Sequence, residues 1–260
     1  MFRDLAARVL ISAFGLFLTV SVAGAADVIP AEGGNIEITP IRHAHVQVEH
    51  GGKVIHIDPW AGPATLSIPL PAGTKPADIV LITDIHSDHL HQPSIDRVKK
   101  ATTAYVIPKA VAASLRSNAT VMDNGESKSV DGVNIQAVAA YNLTRGDAGG
   151  PYHVRGRANG YILALGGKRI YFAADTECIP EIKALTNIDV AFIPVNLPFT
   201  MPGAEAADCV KAFKPKIVYP YHYQQQGVQP PNKHQLDFAA AMKDAPGIEV
   251  RLVDFYTRAP

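Results

Sequence analysis

Four side chains of metal-binding type lie within six residues, in the segment Asp84-Ile85-His86-Ser87-Asp88-His89. The preceding residues, 79–83, are apolar at their centre, as expected of a strand covered on both faces. In an extended segment, alternation places Asp84, His86 and Asp88 on one side, and His89 joins them if the chain turns there into a helix. Imidazole and carboxylate together suit zinc, manganese or iron. The segment therefore predicts a metal site, with a solvated polar loop as the alternative.

Further candidate ligands follow other apolar strands. Asp175 comes shortly after a predicted strand at 169–173, and His222 directly after one at 217–221. Asp58 closes an earlier strand and can orient a ligand histidine from behind. A strand holds the side chain at its end rigidly while the loop exposes it, so residues at corresponding strand ends can converge. We therefore expect Asp175 and His222 to join the residues of the first segment.

Other polar residues are candidates for contact with the ligands or with a substrate. His153 lies with Arg155 and Arg157 in a Gly- and Arg-rich segment, where they either bind a substrate carboxylate or phosphate or are simply solvated. One of His43 and His45, beside the first hairpin, can face the site. The candidates in this class are Asp58, Tyr141, Asn142, His153 and Asn196.

The elements that must position these residues are mostly short strands. Strands are predicted at 36–41, 46–49, 54–57, 78–83, 104–107, 133–139, 161–165, 169–173, 190–194, 217–221 and 250–255, and helices at 93–100, 109–116, 180–185, 203–213 and 233–243. Gly166-Gly167 predicts a two-residue hairpin loop, and 142–158 a mobile surface loop. In each half, strands come first and then alternate with helices. This order predicts an α/β fold of two packed sheets with helices outside, a four-layer αββα sandwich in one domain.

Together these segments resemble the metallo-β-lactamase superfamily. Its signature is His-x-His-x-Asp-His after a buried strand, then a second histidine, a bridging aspartate and a final histidine. The chain is similar in particular to the branch of metal-dependent hydrolases that includes ascorbate-phosphate lactonase. The likeness extends over about residues 36–255 and is carried by the segment 84–89 together with Ile57-Asp58-Pro59, Tyr171-Phe172-Ala173-Ala174-Asp175-Thr176 and Pro215-Lys216-Ile217-Val218-Tyr219-Pro220-Tyr221-His222.

The resemblance implies two metal sites. His86 would belong to the first, the second would contain Asp88, His89 and His222, and Asp175 would lie between them. The expected cofactor is zinc, as one or two ions.

The sequence departs from the family pattern twice, and both departures fall on the first site. Asp84 stands where the family usually has its first histidine, and Tyr141-Asn142 where a later histidine is expected. Asp84, and more weakly Asn142, can coordinate through oxygen, which makes this site harder. We therefore expect the second site to fill, and the first to be weak, to prefer manganese or iron, or to be empty.

The chemistry implied is hydrolysis by metal-activated water. A bound cation lowers the pKa of water from about 15.7 to roughly 7 and polarises the electrophile, and Asp88 or Asp175 can take the water's proton. The expected substrate is a small ester, lactone, amide or phosphate-containing molecule, with phosphodiesters less favoured because two adjacent cations usually clamp their charge. The contrasting hypothesis is a non-catalytic periplasmic metal- or ligand-binding protein in which the loss of two imidazoles has ended the chemistry.

Composition limits the class of partner. The 260 residues contain 24 basic and 24 acidic side chains, so the formal charge is zero and an electrostatic grip on nucleic acid or anionic lipid is not expected. With 47% hydrophobic and 18% charged residues, the chain can bury a sizeable core, which excludes a disordered protein. Cys178 and Cys209 are too few for a disulfide-built scaffold and either pair or remain as buried thiols.

The first 25 residues have the pattern of a signal peptide. Arg3 and Arg8 precede an apolar run at 9–22, and Ala23-Gly24-Ala25 offers a cleavage site. Cleavage after Ala25 predicts a periplasmic or otherwise exported hydrolase domain, 26–260, without stable membrane insertion. An uncleaved anchor is the alternative, although the run is shorter than the ~20 residues a spanning helix needs. The sequence leaves the oligomeric state open.

Overall fold

The computed structural model describes residues 18–20, 26–62, 68–115, 119–223 and 232–256. Short strands dominate these residues, and the helices are few. The strands in chain order are β1 Leu18–Val20, β2 Asp27–Ile29, β3 Ile36–Arg42, β4 His45–His50, β5 Lys53–Ile57, β6 Ala77–Leu81, β7 Lys99–Pro108, β8 Ala119–Met122, β9 Ser127–Val130, β10 Val133–Ala140, β11 Gly146–Asp147, β12 Gly150–Pro151, β13 Ala158–Leu165, β14 Lys168–Phe172, β15 Val190–Pro194, β16 Ile217–Tyr221 and β17 Glu249–Leu252. The α-helices are α1 Gln92–Val98, α2 Pro180–Lys183, α3 Gly203–Phe213 and α4 Lys233–Met242.

Each of the two large sheets has a parallel part and an antiparallel part. The seven-stranded sheet has the order β2-β3-β4-β5-β6-β7-β8 and is antiparallel up to β5 and parallel beyond it. The eight-stranded sheet has the order β1-β17-β16-β15-β14-β13-β10-β9; it is parallel from β1 to β14 and antiparallel from there to β9. Parallel neighbours end at the same edge, so the segments that follow β5 and β6, and those that follow β14, β15 and β16, emerge together.

Side-chain alternation explains how the first sheet is covered on both faces. Ile79 and Leu81 of β6 lie in the core that both sheets share. Val80, between them, joins a smaller cluster with Ile95 and Val98 of α1. A strand buried on both faces needs apolar residues at every position, which is the pattern of this segment. The predicted α/β fold with two packed sheets and outer helices is confirmed.

The outer layer over the second sheet depends on a close approach of α3 to α4. Gly203 begins α3, and a Cβ placed there would lie 2.5 Å from the backbone nitrogen of Phe238 in α4. Only glycine allows this approach. Asn232 caps α4 and forms a capping box with Gln235, which satisfies backbone groups at the buried start of that helix.

The structure differs from the sequence predictions mainly at the edges and in one loop. Strands β2, β8 and β9 were not predicted; β9 has no buried position because it is a polar edge strand. The helix expected at 109–116 is, within the described residues, a single 3₁₀ turn at Lys109–Val111. Segment 142–158 is not simply a solvated surface loop, because Asn142 and His153 are buried and β11 pairs with β12 inside it.

Cys178 and Cys209 form a disulfide, with their Cα atoms 5.5 Å apart. The sequence had left free thiols open as the alternative. The bond joins the segment after Asp175 to α3, and so ties the site-bearing loop to the outer layer.

The proposed signal peptide falls largely outside the described residues, since 1–17 and 21–25 are not described. Leu18–Val20 pairs in parallel with β17. No helix among the described residues has both the length and the apolar character needed to cross a membrane. Cleavage after Ala25 stays a prediction.

Candidate metal centre

Three side chains, those of His89, Asp175 and His222, lie close together in the segments that follow β6, β14 and β16. His89 Nε2 lies 3.4 Å from Asp175 Oδ2, His222 Nε2 lies 3.4 Å from Asp175 Oδ1, and the two Nε2 atoms are 3.2 Å apart. Two ligand atoms that are each about 2.1 Å from a tetrahedral zinc ion lie about 3.4 Å from one another. The three groups therefore have the spacing of a metal site. We call them the His89 cluster.

The backbone turns sharply to deliver these side chains. Ala174, just before Asp175, has φ 62°, and His222 has φ 52°. Asp58 and His43 are also in the left-handed region, with φ 46° and 61°. Such conformations in residues other than glycine cost of order 1–3 kcal/mol each and persist where the surrounding structure enforces them. Their concentration around one point marks it as the functional centre.

A fourth residue, Asp88, lies beside these three side chains and completes the His89 cluster as its most exposed member. Its carboxylate is 3.6 Å from His222 Nε2 and 4.0 Å from His89 Nε2, and its side chain is 32% exposed, whereas the other three are at most 5% exposed. Water and substrate therefore reach the cluster from the side of Asp88.

His43 holds Asp88 in place. His43 Nε2 is 2.9 Å from Asp88 Oδ2, and His43 Nδ1 is 2.6 Å from the hydroxyl oxygen of Tyr256. A carboxylate only accepts, so Nε2 donates to Asp88, while Nδ1 contacts the Tyr256 hydroxyl. Of the two candidates beside the first hairpin, His43 thus faces the site. His45 instead contacts His56, at 2.8 Å.

Two further residues support the ligand histidines. Asp58 Oδ2 lies 2.8 Å from His89 Nδ1 and also accepts from the Thr83 hydroxyl. His89 donates from Nδ1, so that Nε2 is the nitrogen that faces the cluster. Asn196 lies 3.0 Å from His222 Nδ1. The sequence predicted that Asp58 would contact a ligand histidine. For Asn196 it predicted only a contact with a ligand or with a substrate.

The electrostatics of the His89 cluster favour a cation. Burial lowers the pKa of His89, but the surrounding carboxylates, that of Asp58 most strongly, raise it well above its ordinary value. Burial raises the pKa of Asp175, but the facing imidazoles, that of His222 most strongly, hold it well below its usual range. Burial itself lowers the pKa of His222 to about 3. The carboxylates of Asp58 and Asp175 thus stabilise positive charge beside them, while His222 remains a neutral imidazole.

One buried oxygen atom of the cluster has no hydrogen-bond partner among the described residues. Asp175 Oδ1 is buried and accepts no hydrogen bond from any described residue. A buried carboxylate oxygen without a partner is costly. A cation bound between His89, Asp175 and His222 would satisfy it, so the residues present fit a divalent metal ion.

A second group forms from Asp84, His86 and His153, whose candidate ligand atoms all lie within 4.8 Å of one another. We call it the Asp84 cluster. The prediction that Asp84, His86 and Asp88 share one side of an extended segment is wrong. The chain leaves the strand conformation after β6 and turns, with the backbone N–H groups of His89 and Leu90 both donating to the carbonyl of His86. The turn separates Asp88 from the other two.

His153 is the site residue that the sequence ranked too low. Its Nε2 lies 3.1 Å from Asp175 Oδ2, and its Nδ1 lies 3.1 Å from Asn142 Oδ1. An imidazole is therefore present where the sequence lacked one after β10, supplied from eleven positions beyond Asn142. Asn142 holds that imidazole through its side chain and through its backbone N–H, which donates to the carbonyl of His153. The absence of a histidine at Tyr141-Asn142 was the sequence signal that could have directed attention to another histidine, such as His153.

Tyr141 makes its polar contact away from both clusters. Its hydroxyl donates to Glu181 at 3.1 Å, and Arg155 lies over its ring at 5.1 Å. Asp175 Oδ2 lies between His153 and His89, so the aspartate stands between the two clusters as the resemblance implied.

Comparison with known proteins decides the family. The family described as "Beta-lactamase superfamily domain" matches residues 37–222. The chain belongs to the metallo-β-lactamase superfamily. It is 33% identical over 195 residues to a UPF0173 metal-dependent hydrolase of Pyrococcus abyssi, covering 72% of this chain and 84% of the relative.

Solved members of the superfamily have the same fold. A protein described as a metal-dependent hydrolase from Parabacteroides distasonis superposes with a TM-score of 0.76 at 37% identity, covering 88% of this chain and 98% of that one. Igni18, a metallo hydrolase from Ignicoccus hospitalis, superposes with a TM-score of 0.62 at 23% identity, covering 83% and 94%, and shows the fold alone. The predicted four-layer fold and the predicted class, a metal-dependent hydrolase of this superfamily, are confirmed by these relatives.

Proposed function

We propose that this protein is an exported hydrolase of small esters, lactones or amides that acts through a metal ion held by His89, Asp175 and His222, with Asp88 beside it. The observation that carries the proposal is the convergence of three side chains: the Nε2 atoms of His89 and His222 lie 3.2 Å apart, each is 3.4 Å from an oxygen of Asp175, and one of these buried oxygens, Oδ1, has no hydrogen-bond partner.

The donor set favours zinc. Two imidazoles and one carboxylate, without a thiolate, form the ligands, and zinc accepts such a set with its fourth position open to water. Manganese and iron accept the same donors and are the alternatives. When bound, the ion supplies Lewis acidity and a water of lowered pKa.

The remaining work is done by the chain's own residues. Asp88 is the most exposed member of the cluster, and its carboxylate accepts the proton of the attacking water. His43 donates to Asp88 and, with Tyr256 behind it, keeps the carboxylate in one orientation. Asp58 fixes the tautomer of His89. Asp175 and His222 are buried and act as ligands.

Aromatic side chains around the clusters support a substrate with an apolar portion. The ring of Trp60 lies 4.8 Å from that of His43, and Tyr152, next to His153 in sequence, packs against Phe199 at 5.3 Å. The Phe199 side chain is exposed, and its carbonyl accepts from Asn142. An acyl substrate with an apolar group fits such a rim better than a highly charged phosphodiester.

Two features support export. The N-terminal 25 residues have the charge, apolar run and small-residue pattern of a signal peptide. The Cys178–Cys209 disulfide is of the kind that persists in oxidising compartments such as the periplasm. Cleavage after Ala25 would remove β1 and leave β17 at the edge of its sheet.

The test is a zinc titration coupled to a screen of activated esters, lactones, amides and phosphodiesters. We expect zinc-dependent turnover of acyl substrates that is lost in Asp175→Ala and His222→Ala. His50→Ala is the matched control, because His50 lies at the far end of β4, where its ring contacts the Asn35 carbonyl. Zinc binding without turnover of any substrate would favour the non-catalytic binding protein instead.

Export has a separate readout. The full-length chain, expressed in a bacterium with an intact secretion system, should yield a periplasmic protein whose N-terminus is residue 26. An uncleaved chain in the membrane fraction would contradict the proposal and support the anchor.

A further inference from the structure

A cationic side chain, that of Arg157, lies against the Asp84 cluster, and no motif of the family requires it. Arg157 Nε lies 3.0 Å from Asp84 Oδ1, and Arg157 Nη2 lies 2.9 Å from Asp84 Oδ2. Arg157 Nη2 is also 3.3 Å from His86 Nε2. Nη2 donates as well to the carbonyl of Tyr152, at 2.9 Å. The guanidinium is therefore fixed against two of the three members of the cluster.

We propose that the Arg157 guanidinium takes the place of the first metal ion, so that this protein binds one metal ion per chain, in the His89 cluster. The inference rests on the metal site proposed above. It goes beyond that proposal, because it assigns the Asp84 cluster to an organic cation rather than to a weak or manganese-preferring metal site.

The charges of the two clusters differ. The Asp84 cluster has one carboxylate of its own, which is fully buried and already paired in two-pronged fashion with Arg157. The His89 cluster has the carboxylates of Asp175 and Asp88, and within the described residues neither of these is paired with a lysine or arginine. A divalent cation is attracted to the His89 cluster. In the Asp84 cluster it would be repelled by the fixed positive charge of Arg157 unless it displaced that side chain.

The Asp84 carboxylate is also saturated. Asp84 Oδ1 accepts from the backbone N–H of Ile85 as well as from Arg157, and Oδ2 lies 3.1 Å from His86 Nδ1. The planar fork of an arginine matches a carboxylate edge better than any other side chain does. A metal ion bound at this position would have to break that pair and leave the Asp84 carboxylate without its guanidinium partner in a buried site, which is costly.

The replacement explains the first departure from the family pattern, Asp84 in place of a histidine. An aspartate in place of the first histidine provides a partner that an arginine can bind with two hydrogen bonds, which an imidazole cannot. The guanidinium keeps a positive charge beside Asp84 but is always protonated and cannot activate water. The reaction would then depend on one ion and on Asp88, which favours acyl substrates over phosphodiesters.

Metal stoichiometry tests the inference without reference to turnover. The purified protein is saturated with zinc, the bound zinc is counted by elemental analysis, and anomalous diffraction at the zinc edge locates it. We expect one zinc per chain, bound by His89, Asp175 and His222. Arg157→Ala should release Asp84 and His86, which together with His153 can then bind a second ion, and should raise the count to two. Arg157→Lys, which keeps the charge, should stay at one.

Arg155→Ala is the matched control, because Arg155 lies in the same segment but is exposed and pairs with Glu181; its count should stay at one. Two zinc ions in the unmodified protein, or a count of one in Arg157→Ala, would overturn the inference and leave the metal site of the His89 cluster intact. An unmodified protein that binds no zinc would overturn the proposed metal site and this inference with it. The measurement on the unmodified protein decides even if a variant fails to fold.

Discussion

Replacing Asp58 by asparagine should weaken metal binding without disturbing the fold, because the two side chains have the same shape. Asp58 accepts from the Thr83 backbone N–H through Oδ1, at 2.7 Å, and contacts His89 Nδ1 through Oδ2, at 2.8 Å. In Asp58→Asn the amide oxygen keeps the bond to the Thr83 N–H, and the amide nitrogen then faces His89. An N–H at that position donates to Nδ1, which moves the ring proton to Nε2, the atom that must bind the metal.

The expected size of this effect follows from the role of such partners. Loss of a carboxylate behind a ligand histidine typically costs 10–100-fold in metal affinity, about 1.4–2.7 kcal/mol. The assay is competition for zinc with a chromophoric chelator, and the thermal midpoint of the metal-free protein serves as a check on folding. Asp78→Asn is the matched control, since Asp78 accepts from the Val54 backbone N–H and from Lys100 at the opposite end of β6. A zinc dissociation constant of Asp58→Asn within about twofold of the unmodified protein would refute the reasoning.

Three other perturbations have expected outcomes. Cys209→Ser opens a disulfide that links residues 31 positions apart and should lower the free energy of unfolding by roughly 3–4 kcal/mol; an unchanged urea midpoint would contradict this. Burial lowers the pKa of His56 to about 4. Between about pH 6.5 and pH 4 the unfolded chain therefore binds a proton that the folded chain does not. The free energy of unfolding should fall by about 3 kcal/mol as the pH is lowered through that window. His56→Gln should flatten that loss in urea titrations at pH 7.5 and pH 5, and an equally steep loss in the variant would argue against it. His43→Gln should lower kcat about tenfold or more with little change in KM, because it frees Asp88 without removing a ligand; a change confined to KM would show that His43 acts on substrate binding instead.

Local patterns were sufficient for most of the fold. The apolar run of β6, the alternation in β3 and β4, and the glycine pair between β13 and β14 are properties of neighbouring residues, and all three elements were predicted. The two-layered sheet arrangement followed from the order of these elements, since an apolar face must be covered. The polar edge strand β9 was missed because it has no buried side to create a pattern.

The ligands that end a strand were predictable for a similar reason. His222 directly follows its strand and Asp175 lies three residues after the end of β14, and parallel strands of one sheet end at one edge. Proximity of these side chains is thus a consequence of topology that the sequence implies. The contact of Asp58 with His89 belongs to the same class, because β5 and β6 are parallel neighbours.

The amino-acid sequence by itself determined the strands, their order and the residues at their ends, because periodicity and chain direction are local properties. Only the tertiary structure decided that His43, His153 and Arg157 enter the site. Each lies in a turn or loop whose path is set by contacts with distant parts of the chain: His43 with Tyr256, His153 with Asn142 and Asp175, and Arg157 with Asp84. No spacing along the chain encodes such meetings, since they depend on how the two sheets pack and on which loop returns to the shared edge.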